Sequence, residues 1–218
     1  MQKYLWIFSL LWLFTQSVSA AGDIAAGKQL VHQGNNKGAT ACIACHGANG
    51  EGNAAAGYPS LAGLSMKYIA KQLHSYQQGT RQNPVMQPIA KALSNSDIQN
   101  VAAYFSGLTP ATSGSASNLN TTGKHLAMSG DWDKTIPACF SCHGPGGRGV
   151  DPYFPALAGQ HAGYIRSQLE AWRNGKRHND ENDLMKGVAK RLSKQQIQAV
   201  SEYLAALSPV KPESGGAQ

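Results

Sequence analysis

Apolar positions along this chain recur at helical spacing, and no segment alternates long enough to read as a strand. Ile69, Leu73 and Tyr76 stand at i, i+4 and i+7 ahead of Gly79, and Ile165, Leu169 and Trp172 repeat the pattern ahead of Gly175. Each stripe predicts an amphipathic helix with one face in a core, stopped by a glycine free to turn left-handed. Two more helices announce their starts as Leu93-Ser94-x-x-Asp97-Ile98 and Leu192-Ser193-x-x-Gln196-Ile197. Ser94 and Ser193 are N-caps with a capping-box partner, the more usual one being Gln196, and the flanking Leu and Ile form a hydrophobic staple. Asp23 is placed to cap an earlier helix. The predicted fold class is all-α.

One apolar run differs in kind. Lys3 precedes Tyr4 to Phe14, and the run ends in the small residues Ser17-Val18-Ser19-Ala20. It is too short to cross a bilayer and has the form of a secretory signal peptide cut after Ala20. The expected mature chain is exported and soluble, in the periplasm of a Gram-negative host. An uncut leader lying in the membrane is the alternative.

The pattern also occurs twice. Ala26-Gly27-Lys28-Gln29-Leu30 returns as Thr122-Gly123-Lys124-His125-Leu126, and YPSLAGLSMKYIAKQL from Tyr58 returns as FPALAGQHAGYIRSQL from Phe154. Gly79-Thr80-Arg81 matches Gly175-Lys176-Arg177, and the staple helices match each other. A period near 97 residues is a domain, not a solenoid repeat. The expected division is a leader at 1–20, domains at 21–108 and 121–209, a Thr/Ser/Asn/Ala-rich linker at 109–120 and a disordered tail at 210–218. Each half is small for a self-sufficient core, and a buried prosthetic group would supply the missing apolar centre.

All four cysteines lie in two pentads, Cys42-Ile43-Ala44-Cys45-His46 and Cys139-Phe140-Ser141-Cys142-His143. A disulfide between cysteines three apart closes a tiny loop and stabilises little. A redox-active C-x-x-C gives no reason for a following histidine. Zinc would require the pentads to meet, and their six N/S donors exceed a tetrahedral four. Covalent haem attachment uses every residue: two thiols add to the vinyl groups, and the histidine reaches the iron. Two haem c groups are therefore expected, on Cys42, Cys45, Cys139 and Cys142, with His46 and His143 as proximal ligands.

For the opposite axial position the methionines separate by register. Met66 aligns with Ala162 and Met128 with His32, so both read as packing residues. Met86 and Met185 correspond, each seven residues before its staple leucine, in a loop expected to close over the distal face. A thioether there favours reduced iron and raises the potential. His74, His125, His161 and His178 align with Glu170, Gln29, Ser65 and Gln82, so bis-histidine ligation finds no paired candidates. These four and His32 are expected on the surface or beside the sites without ligating.

With these motifs, and with P-x-L-A-G at Pro59 and at Pro155, the chain from Ala21 to Pro209 resembles the cytochrome c4 family, dihaem proteins of two tandem class I cytochrome c domains. The resemblance implies that Gly27 and Gly123 let the first helix of each domain pack closely on Tyr104 and Tyr203 of the last. It also implies that the carbonyls of Pro59 and Pro155 accept the Nδ1 protons of His46 and His143. The implied function is electron transport in a periplasmic respiratory chain, from a quinol-oxidising bc1 complex or a dehydrogenase to a terminal oxidase, with no catalysis at either six-coordinate iron. Two alternatives stay open: the cytochrome subunit of a flavoprotein sulfide dehydrogenase, and a dihaem enzyme of peroxidase or thiosulfate dehydrogenase type.

Charge changes the picture only slightly. The full chain is +7 and the expected mature chain one less without Lys3, its basic residues scattered, so nucleic acid is not an expected partner. Steering of redox proteins and loose membrane association are both compatible with this balance. The charge is not polarised between the halves, which removes the basis for docking directed by a strong dipole. Lys186, Lys190, Arg191 and Lys194 either ring the second haem edge or form a solvated helix face.

Overall fold

The computed structural model describes residues 22–111 and 120–209. The expected leader and tail, and most of the expected linker, lie outside the described residues. Ten α-helices and no β-strand occur among the described residues.

The first half contains α1 (Ile24–Gln33), α2 (Ile43–His46), α3 (Met66–Gln78), α4 (Met86–Lys91) and α5 (Asn95–Gly107). The second repeats the order with α6 (Thr121–Met128), α7 (Cys139–His143), α8 (Ala162–Arg173), α9 (Leu184–Arg191) and α10 (Lys194–Ala206). Local chemistry sets these boundaries. Asp23 accepts from the backbone N–H groups of Ala25 and Ala26, satisfying donors that α1 itself cannot pair. Ser94 and Ser193 form complete capping boxes with Asp97 and Gln196. Gly79 ends α3 in the left-handed conformation, and Gly175, at φ +70°, follows α8.

In each half the first helix packs on the last. Gly27 makes this possible, because a Cβ there would lie 2.1 Å from the carbonyl oxygen of Asn100, and one at Gly123 2.1 Å from that of Ala199. The Cβ atoms of Tyr104 and Tyr203 come next, at 3.1 and 2.7 Å. The tyrosines are thus in the contact as expected, but the backbone of the last helix is the nearer wall. The staple residues Leu93, Ile98, Leu192 and Ile197 are all buried in their cores. Burying each contributes about 1.5–3 kcal/mol relative to an exposed side chain.

Neither core closes on itself. A continuous cavity of about 550 Å³ extends from the first half into the second, walled by apolar side chains such as Leu73, Phe105, Leu169 and Leu204. The halves meet across it through α3, α8 and an antiparallel bridge between Arg81 and Arg177. There Gln82 N–H donates to the Lys176 carbonyl at 2.7 Å and His178 N–H to that of Thr80 at 2.9 Å.

Candidate functional site

Both pentads form short helices that end at a glycine with positive φ, Gly47 at +80° and Gly144 at +75°. The chain then doubles back, so that Gly52 N–H donates to the His46 carbonyl and Gly149 N–H to that of His143, each at 2.7 Å. A Cβ on Gly52 would lie 2.5 Å from the carbonyl carbon of Pro59, so only glycine lets the loop pass this close. The reward is a fixed imidazole. His46 Nδ1 donates to the Pro59 carbonyl at 3.0 Å, and His143 Nδ1 to that of Pro155 at 2.8 Å.

With Nδ1 carrying the proton, Nε2 presents a lone pair to the cavity. Both rings are buried, 7% and 5% exposed, and burial holds both pKa values below the ordinary histidine value. His143 Nε2 is buried with no hydrogen-bond partner. An unpaired buried nitrogen of this kind is costly unless something takes its lone pair, and an iron centre does.

Cys42, Cys45, Cys139 and Cys142 line the same cavity as the histidines. Burial pushes the Cys42 and Cys139 thiols up to about 11. This is the reverse of the depressed thiol of a dithiol oxidoreductase.

Met86 and Met185 also line the cavity, whereas Met66 packs against the first core and Met128 is 57% exposed. The expected loop around the paired methionines is instead a helix start. Met86 is the first residue of α4 and Met185 the second of α9. Asn83 causes this in the first half, its Oδ1 accepting from the N–H groups of Val85 and Met86 at 2.9 Å each.

Between the two sites lies a polar cluster to which the sequence assigned no role. Arg81 and Arg177 are buried, 5% and 4% exposed. Arg81 donates to Gln72 (3.0 Å), Gln168 (2.7 Å) and the Tyr164 hydroxyl (2.6 Å). Arg177 donates to Gln168 (3.0 Å), Gln72 (3.0 Å) and the Tyr68 hydroxyl (3.3 Å). The guanidinium groups lie over Tyr76 and Trp172, at 4.7 and 3.9 Å from the ring centroids. Among the described residues neither arginine has a carboxylate partner. Two buried cations answered only by neutral acceptors fit a bound group that brings its own anions, as haem does with its propionates. Tyr68, Gln72 and Arg81 each have a counterpart in the second copy, and that repetition was the available signal.

Three of the remaining histidines have hydrogen-bond partners of their own. His32 bonds to the Tyr104 hydroxyl at 3.2 Å and His74 to Gln77 at 3.0 Å. His161 Nε2 donates across the domain boundary to the Glu51 carbonyl at 3.0 Å. Beside it, Gln160 clamps Ser60 with two hydrogen bonds, of 3.0 and 2.9 Å, next to Pro59. Of the basic residues after Met185, Lys186 pairs with Asp183 at 2.8 Å and Arg191 donates to the Gly187 carbonyl at 2.9 Å.

Comparison with known proteins agrees with this geometry. The cytochrome c family profile matches residues 24–109 and again 120–208. A "Thiosulfate dehydrogenase electron acceptor" of Thiomonas intermedia (strain K12) is 50% identical over 183 residues, covering 81% of this chain and 83% of the relative. The crystal structure of reduced recombinant cytochrome c4 from Pseudomonas stutzeri superposes with a TM-score of 0.77 at 36% identity, covering 86% of this chain and 100% of that one. A thiosulfate dehydrogenase (TsdBA) from Marichromatium purpuratum gives a TM-score of 0.78 at 42% identity, and here the match spans 84% of this chain but 40% of the other. The two pentads, the proline-held histidines and the duplicated helical frame thus place this chain in the cytochrome c family, as a two-domain electron carrier of the cytochrome c4 type with two covalently attached haem c groups.

Proposed function

We propose that this carrier takes electrons from a thiosulfate-oxidising dehydrogenase in the periplasm and delivers them toward a terminal oxidase, its irons held by His46 with Met86 and by His143 with Met185. The observation that carries the choice of donor is the 50% identity to an electron acceptor of thiosulfate dehydrogenase, over most of both chains. The likeness to 40% of a thiosulfate dehydrogenase chain supports a part in the same chemistry. Delivery to the periplasm rests on the leader ending at Ala20.

Bound haem supplies a one-electron ferric/ferrous couple. The protein's own part is to hold and to exclude. The carbonyls of Pro59 and Pro155 fix each imidazole with its lone pair toward the cavity. The apolar walls keep water from the centre, which favours the reduced, less charged state. Of the polar groups that line the cavity, Tyr68, Gln72, Arg81, Tyr164, Gln168 and Arg177 bond to one another, while Asn83 and Gln160 bond to nearby backbone, and the reading assigns none of them a catalytic role.

The test is reduction by a defined donor. The oxidised protein, mixed with a purified thiosulfate dehydrogenase and thiosulfate, is expected to show reduction of both haems, while thiosulfate alone leaves them oxidised. Rapid reduction by thiosulfate alone would make the chain itself an enzyme, and no reduction with the dehydrogenase present would remove it as the donor.

A further inference from the structure

The starts of the two methionine helices are held by different chemistry. In the first half a neutral amide does the work, Asn83 accepting from Val85 and Met86 N–H. In the second half the path from the buried arginine to the methionine is longer: five positions separate Arg81 from Met86, but eight separate Arg177 from Met185. The longer segment carries Asp180, Glu181 and Asp183. Asp180 Oδ2 accepts from Lys186 N–H at 3.0 Å, and its Oδ1 accepts from the Trp172 indole Nε1–H at 3.1 Å. One carboxylate therefore ties α8, whose Trp172 walls the cavity, to the first turn of α9, which carries Met185.

The three acids are not equivalent. Glu181 pairs with Lys71 at 2.5 Å and Asp183 with Lys186 at 2.8 Å. Asp180 has no ion pair among the described residues, and both of its oxygens meet neutral donors. The neighbouring Arg177 turns its Nε to Asn179 at 2.9 Å. A small side chamber bounded by Asp180, His143, Trp172, Arg177 and Met185 brings this carboxylate up to the second site. A fixed negative charge beside a partly desolvated redox centre stabilises its more positive state. The first half has the neutral Asn83 in the corresponding capping role.

We propose that Asp180 is a positioning residue for Met185, and that its carboxylate sets the potential of the second haem lower than a neutral residue would. The inference rests on the axial pairs proposed above.

Spectroelectrochemical titration of the holoprotein tests it, with the thioether charge-transfer band recorded in each sample. Asp180→Asn removes the charge but leaves an acceptor, and is expected to raise one midpoint potential while both bands remain. Asp180→Glu keeps the charge and is expected to stay near the parent value. Asn83→Asp keeps the oxygen that caps α4 and adds a charge, and is expected to lower the other midpoint. Asp180→Ala is expected to weaken the band of the second haem. Midpoints unmoved by both Asp180→Asn and Asn83→Asp, with both bands intact, would overturn the role of Asp180 alone. Absence of the thioether bands in the unmodified protein would instead overturn the axial assignment beneath it.

Discussion

Arg81 and Arg177 oppose each other in one antiparallel bridge, and each guanidinium donates to both Gln72 of the first domain and Gln168 of the second. The halves are thereby joined by a closed ring of charged donors and neutral acceptors, of which Arg81, Arg177 and Gln72 are buried.

Gln72 is the more heavily used acceptor, because its Oε1 also receives Asn179 Nδ2 at 2.9 Å. Gln72→Leu should cost on the order of 3 kcal/mol of unfolding free energy, since it strands buried donors, two of them cationic. Gln168→Leu, which frees fewer donors, should cost less. Urea unfolding of the holoproteins, followed by circular dichroism, checks both size and order.

Gly27→Ala and Gly123→Ala should each destabilise their own domain by about 1–3 kcal/mol or more, because the added methyl meets a backbone carbonyl that cannot rotate away. Gly79 faces open space but has φ +77°, so Gly79→Ala should cost only the conformational penalty of about 1–2 kcal/mol. Thermal unfolding of the three variants should rank the two helix-crossing glycines as the more sensitive.

Asp131 accepts from Lys134 Nζ at 3.0 Å and from Gln196 Nε2 at 2.7 Å, tying the turn before the second pentad to the start of α10. These hydrogen bonds hold its carboxyl below the usual 3.8. A depressed pKa contributes stability that is present above the unfolded value and lost as pH falls through the lower folded one. The stability difference between the parent and Asp131→Asn should therefore be constant at neutral pH and shrink on acidification below about 4. A difference that grew with acid would contradict the assignment.

Met86→Ala should abolish the thioether charge-transfer band of one haem and lower its potential, whereas Met66→Ala should leave both haems unchanged. Absorption spectra and midpoint potentials of the two variants decide between the methionines. The reverse result would place the ligand at Met66.

Much of this molecule is legible in its sequence because the signals are local. Ser94 with Asp97, Ser193 with Gln196 and the two pentads each need only a few consecutive residues, and duplication distinguishes Met86 and Met185 from Met66 and Met128. What escapes the sequence depends on how the copies face each other. Arg81 and Arg177 are visible as a repeat, but their shared acceptors appear only once α3 and α8 meet. Gln160 aligns with Leu64 and His161 with Ser65, so repetition gives no hint of their grip on Ser60 and Glu51. Asp180 lies in the longer loop of the second copy, where alignment is silent. The methionine segments read as loops because their caps are side chains, Asn83 and Asp180, outside the serine-led pattern that marks α5 and α10.

Exposure of the fully reduced holoprotein to carbon monoxide tests the central claim most directly. If His46 with Met86 and His143 with Met185 fill the axial positions, the gas must first displace a thioether that the packed starts of α4 and α9 hold in place. The spectrum should then show no rapid adduct, while a small-molecule oxidant still removes an electron from each haem. A rapid carbon monoxide adduct on either haem would contradict the account and reveal an open iron in that domain.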